Sequence, residues 1–231
     1  MSILRFIRSY FAMGIFIASL VQSCTKSDHY YRDFIKEASR QYVGKVDSVQ
    51  AYPGRNRIKL SWLLSPDQSV RSTHIYWNNG RDSLIQIMNR QEGIDTSEVT
   101  IEDLDEGNHA FTIYTYGDNH NRSIGVEVFA KAYGSIYEQN LSNRVVKSIA
   151  RNAEAVTITW FDEFSETLRA TEITYLDAAG SRQLHLLFPD ENTIILHDLP
   201  PGGTLEYRSV HTPESLAIDT FYSSAATLTV E

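Results

Sequence analysis

Beyond residue 45 the chain alternates polar and apolar residues with a period of two, and it does so in two successive blocks. Arg57-Ile58-Lys59-Leu60-Ser61-Trp62, Thr73 to Trp77, Ser83 to Met88 and Val156 to Trp160 all follow this period. Side chains on a strand point alternately to opposite faces, so such runs bury one face and read as half-buried strands. Turn residues punctuate them: Pro53-Gly54, Ser65-Pro66-Asp67, Asn78-Asn79-Gly80, Asp105-Glu106-Gly107, Gly117-Asp118-Asn119, Ala179-Gly180 and Pro200-Pro201-Gly202. Short strands at this spacing predict β-sandwiches.

The landmarks of the first block recur in the second. Trp62 and Trp160 lie 98 residues apart, as do Ile75 and Ile173, and Trp77 and Tyr175. Leu104 and Leu199, each three residues before a glycine, are offset by 95. Near-constant offsets over four landmarks point to a duplication. Seven strands are expected in each copy: 46–52, 56–64, 72–78, 82–88, 97–103, 108–116 and 123–132, then 144–150, 154–161, 170–177, 181–188, 192–198, 203–211 and 219–230. A Trp on strand two with a Leu-x-x-Gly turn before strand six resembles fibronectin type III modules. That family usually has a tyrosine early in strand six. Phe111 takes its place in the first copy, and Tyr207 lies near it in the second. The expected fold is all-β: two tandem seven-stranded immunoglobulin-like, fibronectin type III-like sandwiches.

The first 23 residues have a different character. Arg5 and Arg8 precede an apolar run from Tyr10 to Val21, too short for a permanent membrane helix of about 20 residues but suited to a signal-peptide core. Val21-Gln22-Ser23-Cys24 resembles the lipobox of bacterial lipoproteins. The resemblance implies cleavage before Cys24 and lipid on its sulfur. It also implies location at the outer membrane, on the cell surface or the periplasmic face. Each buried methylene contributes about 0.8 kcal/mol, so two or three acyl chains hold far more firmly than one. Cys24 is the single cysteine, so no intrachain disulfide can form. Removing residues 1–23, which hold two arginines and no acid, takes the net charge from -8 to -10. Nucleic acid is excluded as a partner, because a phosphate backbone needs a basic footprint. The expected organisation is leader 1–23, anchor-proximal segment 24–45, first sandwich 46–134, linker 135–143 and second sandwich 144–231. Asp28 to Lys36 is expected to form a short helix.

A closer resemblance runs from Tyr31-Arg32-Asp33-Phe34 through Tyr42-Val43-Gly44-Lys45-Val46-Asp47-Ser48, Tyr52-Pro53-Gly54, Ile58 to Trp62 and Ile75 to Gly80. It continues through Phe111 to Tyr116, Tyr133-Gly134, Leu141 and Asn143-Arg144. Together these are similar to the domain-of-unknown-function family 4998, whose members are mostly lipoproteins of Bacteroidota. The resemblance implies an envelope lipoprotein associated with glycan uptake. It supplies no catalytic residue.

Chemistry is sparse. The seven histidines form no metal-binding helix motif, and no cysteine is spare for zinc, so no metal or cofactor is expected. His185 and His197 either approach across neighbouring strands or stand apart. Asp162, Glu163 and Glu166 fall in a predicted loop, either as an acidic solvated surface or as a carboxylate pair for glycoside hydrolysis or calcium. No nucleophile elbow or phosphate loop appears, and no enzyme is expected. Asp47-Ser48-Val49 and Asp82-Ser83-Leu84 resemble a short bacterial O-glycosylation motif.

Aromatic residues are the better lead, with 13 Tyr, 10 Phe and 3 Trp. If Ile75 and Phe111 face the core, alternation turns Tyr76, Tyr114 and Tyr116 outward on neighbouring strands. Tyrosine joins an apolar ring to a polar tip and suits sugar stacking or protein contact. Either a ligand covers this patch or another part of the chain does. The matching positions Glu172, Thr174, Glu206 and Arg208 are polar. The expected function is a noncatalytic lipid-anchored envelope protein that binds glycan or serves glycan uptake. The alternative is an adhesive protein that contacts an outer-membrane protein.

Overall fold

The computed structural model describes residues 43–64, 66–88, 93, 95–118 and 121–230. Cys24, the leader and the expected helix at 28–36 lie outside them. Val43–Glu231 forms one compact unit.

Strict alternation dictates the central strands. In β2 (Ile58–Leu64), Ile58, Leu60, Trp62 and Leu64 are buried while Lys59, Ser61 and Leu63 are half out. In β9 (Val156–Trp160), Val156, Ile158 and Trp160 repeat the pattern. Two hydrophobic cores result. The first gathers Trp62, Ile75, Phe111 and Ile113, and the second Trp160, Ile173, Tyr175 and Leu205.

Antiparallel sheets enclose each core. In the first half, β1 (Val46–Pro53), β2 and β5 (Asp95–Ile101) form one sheet in the order β1-β2-β5. The facing sheet runs β4-β3-β6-β7, from β3 (Val70–Trp77), β4 (Asp82–Ile87), β6 (Gly107–Gly117) and β7 (Val126–Ala132). The second half repeats the order. β8 (Val146–Arg151), β9 and β12 (Thr193–Leu196) make the smaller sheet. β10 (Leu168–Leu176), β11 (Arg182–Leu187), β13 (Thr204–His211), β14 (Phe221–Tyr222) and β15 (Ala226–Thr229) make the larger. In both halves the fourth strand pairs with the third and not with the fifth, as in fibronectin type III-like sandwiches. Thirteen of the fourteen expected strands are present with ends shifted by at most three residues, and the fourteenth is divided.

One difference is that the last expected strand, 219–230, is broken into β14 and β15. Ser223 sits in the break, where its backbone N–H donates to Ser209 O and its Oγ accepts the N–H of Ser209. Ser123 does the same before β7: its N–H donates to Thr115 O and its Oγ accepts Thr115 N–H. The register also shifts at matching places in β1 and β8 (Asp47/Gln50 and Val146/Ser148), and in β3 and β10 (Val70/Ser72 and Leu168/Ala170). Such bulges change which residues face in. Alternation alone does not reveal them.

A second difference is in the segment expected as a plain linker, which holds the helix α1 (Ser135–Gln139). Glu106 accepts the N–H groups of Ile136 and Tyr137, both at 2.7 Å, and so caps the start of α1. Around α1 the two halves are pinned together. Arg55 makes a two-pronged contact with Glu138 at 2.7 Å, and Arg57 another with Asp219 at 2.9 and 2.7 Å. Asp219 also accepts the N–H of Arg55, and Ile218 N–H donates to Pro53 O. Tyr133 donates to Glu214, and the rings of Tyr133, Tyr137 and Phe221 meet edge to face. Gly54 is required here by close approach, since a Cβ would fall 2.6 Å from Asp219 Oδ2.

Two expectations follow. Trp62 and Trp160 are 0% and 1% exposed, so Trp62→Ala or Trp160→Ala should each cost about 3–5 kcal/mol in urea unfolding. At the joint, hydrogen bonds from Arg55 and Arg57 hold the Glu138 and Asp219 carboxyls below their ordinary values of 4.5 and 3.8. The folded carboxyls are depressed, so their contribution is complete above those values and is lost as pH falls below them. Spin-label distances between the halves should therefore broaden in acid. They should broaden at neutral pH in Asp219→Asn.

Candidate ligand-binding face

The pleat turns Tyr76, Tyr114 and Tyr116 away from the first core. Ile75, Phe111, Ile113 and Thr115 are buried, while the three tyrosines are half exposed on the outer face of the larger sheet. Pairing sets their neighbours. His74 lies opposite Tyr114, Ser72 opposite Tyr116, and Tyr76 opposite Thr112. His74 and Tyr116 are in ring contact at 4.0 Å, and Tyr76 meets Tyr114 at 6.0 Å and 74°.

The sequence reading missed several members of this face. Edge strand β4 adds Ile85 and Ile87, 57% and 79% exposed, opposite His74 and Ser72. β7 adds Phe129, 71% exposed. The alternation expected in Ser83 to Met88 is not strict, since Leu84, Ile85, Ile87 and Met88 put apolar residues in both phases. Leu84 and Met88 pack against the first core, with Gln86 between them 3.5 Å from Glu98 O and 3.4 Å from Ser97 Oγ. Ile85 and Ile87 are left on the outer face.

Tyr114 is engaged on its ring. Gly125 lies against it so closely that a Cβ there would fall 2.8 Å from two ring atoms. The Arg122 guanidinium stands 4.9 Å over the ring centre. Burial lowers the His74 pKa, so this histidine is neutral at neutral pH. Burial, and then the neighbouring Tyr116 hydroxyl, raise the Tyr76 pKa. The centre of the face therefore holds a neutral histidine, with its Nε2 hydrogen-bonded to Ser72 Oγ at 3.0 Å and its Nδ1 3.5 Å from the Tyr76 hydroxyl.

The equivalent face of the second half is different. Arg208 bridges to Glu172 at 2.9 Å and covers the Tyr222 ring at 4.0 Å. Glu172 and Arg208 line a polar hollow with Thr174, Arg182 and Glu206, and Leu184 and Leu186 are exposed on the edge strand β11 beside Thr174 and Glu172.

The remaining candidates are not brought together. His185 stacks on Tyr175 at 5.6 Å within the larger sheet, whereas His197 follows β12 in the other sheet. Asp162 accepts from Asn192 and Glu163 from Ser165 N–H, while Glu166 is exposed. Among the described residues no group of three or more His, Cys, Asp or Glu is placed to hold a metal ion. Ser48 is exposed in the β1 bulge at φ 49°, and Ser83 is exposed beside Tyr76 on β4.

Comparison with known proteins gives a family and no activity. No curated protein matches the chain. Among solved structures it is similar to a two-fibronectin-type-III-domain segment of chicken tenascin, at 12% identity and a TM-score of 0.32, over 81% of this chain and 99% of that one. It is also similar to the FN1-FN3 domains of chicken CNTN1, at 10% identity and a TM-score of 0.42, over 82% of this chain and 68% of that one. The family described as a domain of unknown function, number 4998, matches residues 24–221. A match over that much of the chain, with the sandwich strand order in both halves, establishes that the protein belongs to domain-of-unknown-function family 4998.

Proposed function

We propose that the protein is a noncatalytic, lipid-anchored interaction module of the cell envelope that holds a protein partner on the outer face of its first sandwich. Tandem fibronectin type III-like sandwiches suit adhesion and protein contact. The observation that carries the reading is the contrast between equivalent faces. Both expose aliphatic residues on their edge strands, Ile85 and Ile87 on one and Leu184 and Leu186 on the other, but only the first adds Tyr76, Tyr114, Tyr116 and Phe129, where the second carries an ion pair over Tyr222. Exposed apolar patches of this kind mark interaction sites.

The geometry favours protein over the glycan suggested by tyrosine content. Sugar stacking needs a free ring face, but Tyr114 is engaged by Gly125 and Arg122, and Tyr116 by His74. What remains on offer is tyrosine ring edges and hydroxyls, two isoleucines and the Phe129 ring, which suit a protein surface with aromatic and aliphatic hot spots. The basic start, the apolar run and Cys24 support the anchor. The family match also begins at residue 24. Among the described residues no helix is long and apolar enough to cross a membrane.

Cys24→Ser should release the protein from the membrane fraction or leave it unprocessed. A variant that fractionates and migrates like wild type would remove the anchor from the reading. For the face, residues 25–231 carrying Tyr76→Ala and Tyr114→Ala should lose an outer-membrane protein captured without sugar dependence. Their stability should change by no more than about 0.5 kcal/mol, as for surface substitutions. Retention on glycan affinity gels, lost in the same variant, would replace protein by glycan as the ligand. A stability loss above about 1 kcal/mol would show that the face is structural.

A further inference from the structure

A second surface lies on the other sandwich, at the end formed by the loops 161–167 and 188–192. Phe164 is 90% exposed there. Phe161, Phe188 and Val145 are exposed beside it on the same loops and the adjoining chain. A large aromatic in water is ordinary on a loose loop, but this one is built on a fixed base. Trp160 N–H donates to Asn192 O at 2.8 Å, and Asn192 Nδ2 donates to Asp162 at 2.9 Å. Ser165 N–H donates to Glu163, and Ser165 Oγ bonds Thr167 Oγ1 at 2.9 Å. Phe188 N–H donates to Glu191. Buried Arg144 ties the two loops, with Nε donating to Phe161 O at 3.1 Å and Nη1 to Glu191 O at 2.6 Å. Loops fixed in this way present Phe164 preorganised, which lowers the ordering cost of binding.

Charge identifies the partner. Asp162, Glu163, Glu166, Asp190 and Glu191 all belong to these loops. Among the described residues none of the five is in a salt bridge. The nearby cations are already engaged: Arg144 is buried, Lys147 lies over the Phe161 ring, and Arg169 donates to Thr212 and to Glu166 O. Arg144 offsets part of the charge of Asp162 and Glu163, but five carboxylates outnumber it, so the aromatic tip sits in a net negative surround that attracts a cation with apolar groups beside it and repels anionic lipid. The first sandwich has no counterpart. Its matching loop holds Pro66 and Asp67 with no aromatic, and Asp67 accepts the N–H groups of Gly44 and Ser69.

We infer that this end of the second sandwich docks a cationic polypeptide segment, with Phe164 as its apolar anchor. The surface is separate from the tyrosine face and does not depend on it.

The test is an amide-shift titration of residues 25–231 with two peptides of equal positive charge, one alternating Lys and Leu and the other Lys and Ser. The Lys/Leu peptide should bind at least tenfold more tightly and shift amides in 161–167 and 188–192. Phe164→Ala, harmless to folding at such exposure, should erase the difference between the peptides. Glu163→Gln with Glu166→Gln should weaken both, and so should added salt. Equal affinities, shifts centred on Tyr76 and Tyr114, or an unaltered preference in Phe164→Ala would each overturn the inference. So would binding of phosphatidylcholine or phosphatidylglycerol vesicles through Phe164 in place of the peptide.

Discussion

The pleat couples the inside of this protein to its outside. β3 cannot bury Ile75 without presenting His74 and Tyr76 to the other face, and β6 cannot bury Phe111, Ile113 and Thr115 without presenting Tyr114 and Tyr116. A slip of one residue in either strand would exchange core for surface along its whole length. The interaction face therefore needs no dedicated scaffold. It is the reverse side of the core, and the burial of Trp62 and its neighbours fixes where each tyrosine stands.

The joint between the halves rests on a different kind of force. It is largely polar, made of two Arg–carboxylate pairs, a tyrosine hydroxyl on Glu214 and a small ring cluster around Phe221. Two-pronged Arg–carboxylate contacts fix direction as well as distance. Arg55 adds its ring contact with Phe221 at 4.6 Å. The halves meet as a keyed pair, and Gly54 leaves the space that lets the 212–220 loop of the second half reach the first.

The strands, their order in the chain and the outward turn of the three tyrosines were legible in the sequence, because period two carries that information directly. Ile85 and Ile87 were not, since Leu84 and Met88 are equally apolar and only their packing on the first core decides which pair faces out. The joint was also hidden. Arg55, Arg57, Glu138 and Asp219 read as ordinary surface charges, and nothing local marks partners 83 and 162 residues apart in the chain. In the sequence Arg144 stands out only as part of the family pattern. Its place between two loops depends on burial, to which a charged residue gives no clue in sequence. The break at Ser223 escaped notice because a bulge costs the pattern only one residue.

That small defect is shared by both halves. Ser123 and Ser223 fill the same bulge with the same pair of hydrogen bonds, and the slips in β1/β8 and β3/β10 also coincide. Three matching irregularities show that the two halves follow one backbone template down to its kinks. The tyrosines of one face, the ion pair of the other and the Phe164 tip are side-chain differences laid on that common frame. A single backbone solution thus carries two unlike surfaces, and either surface can change without the frame being rebuilt.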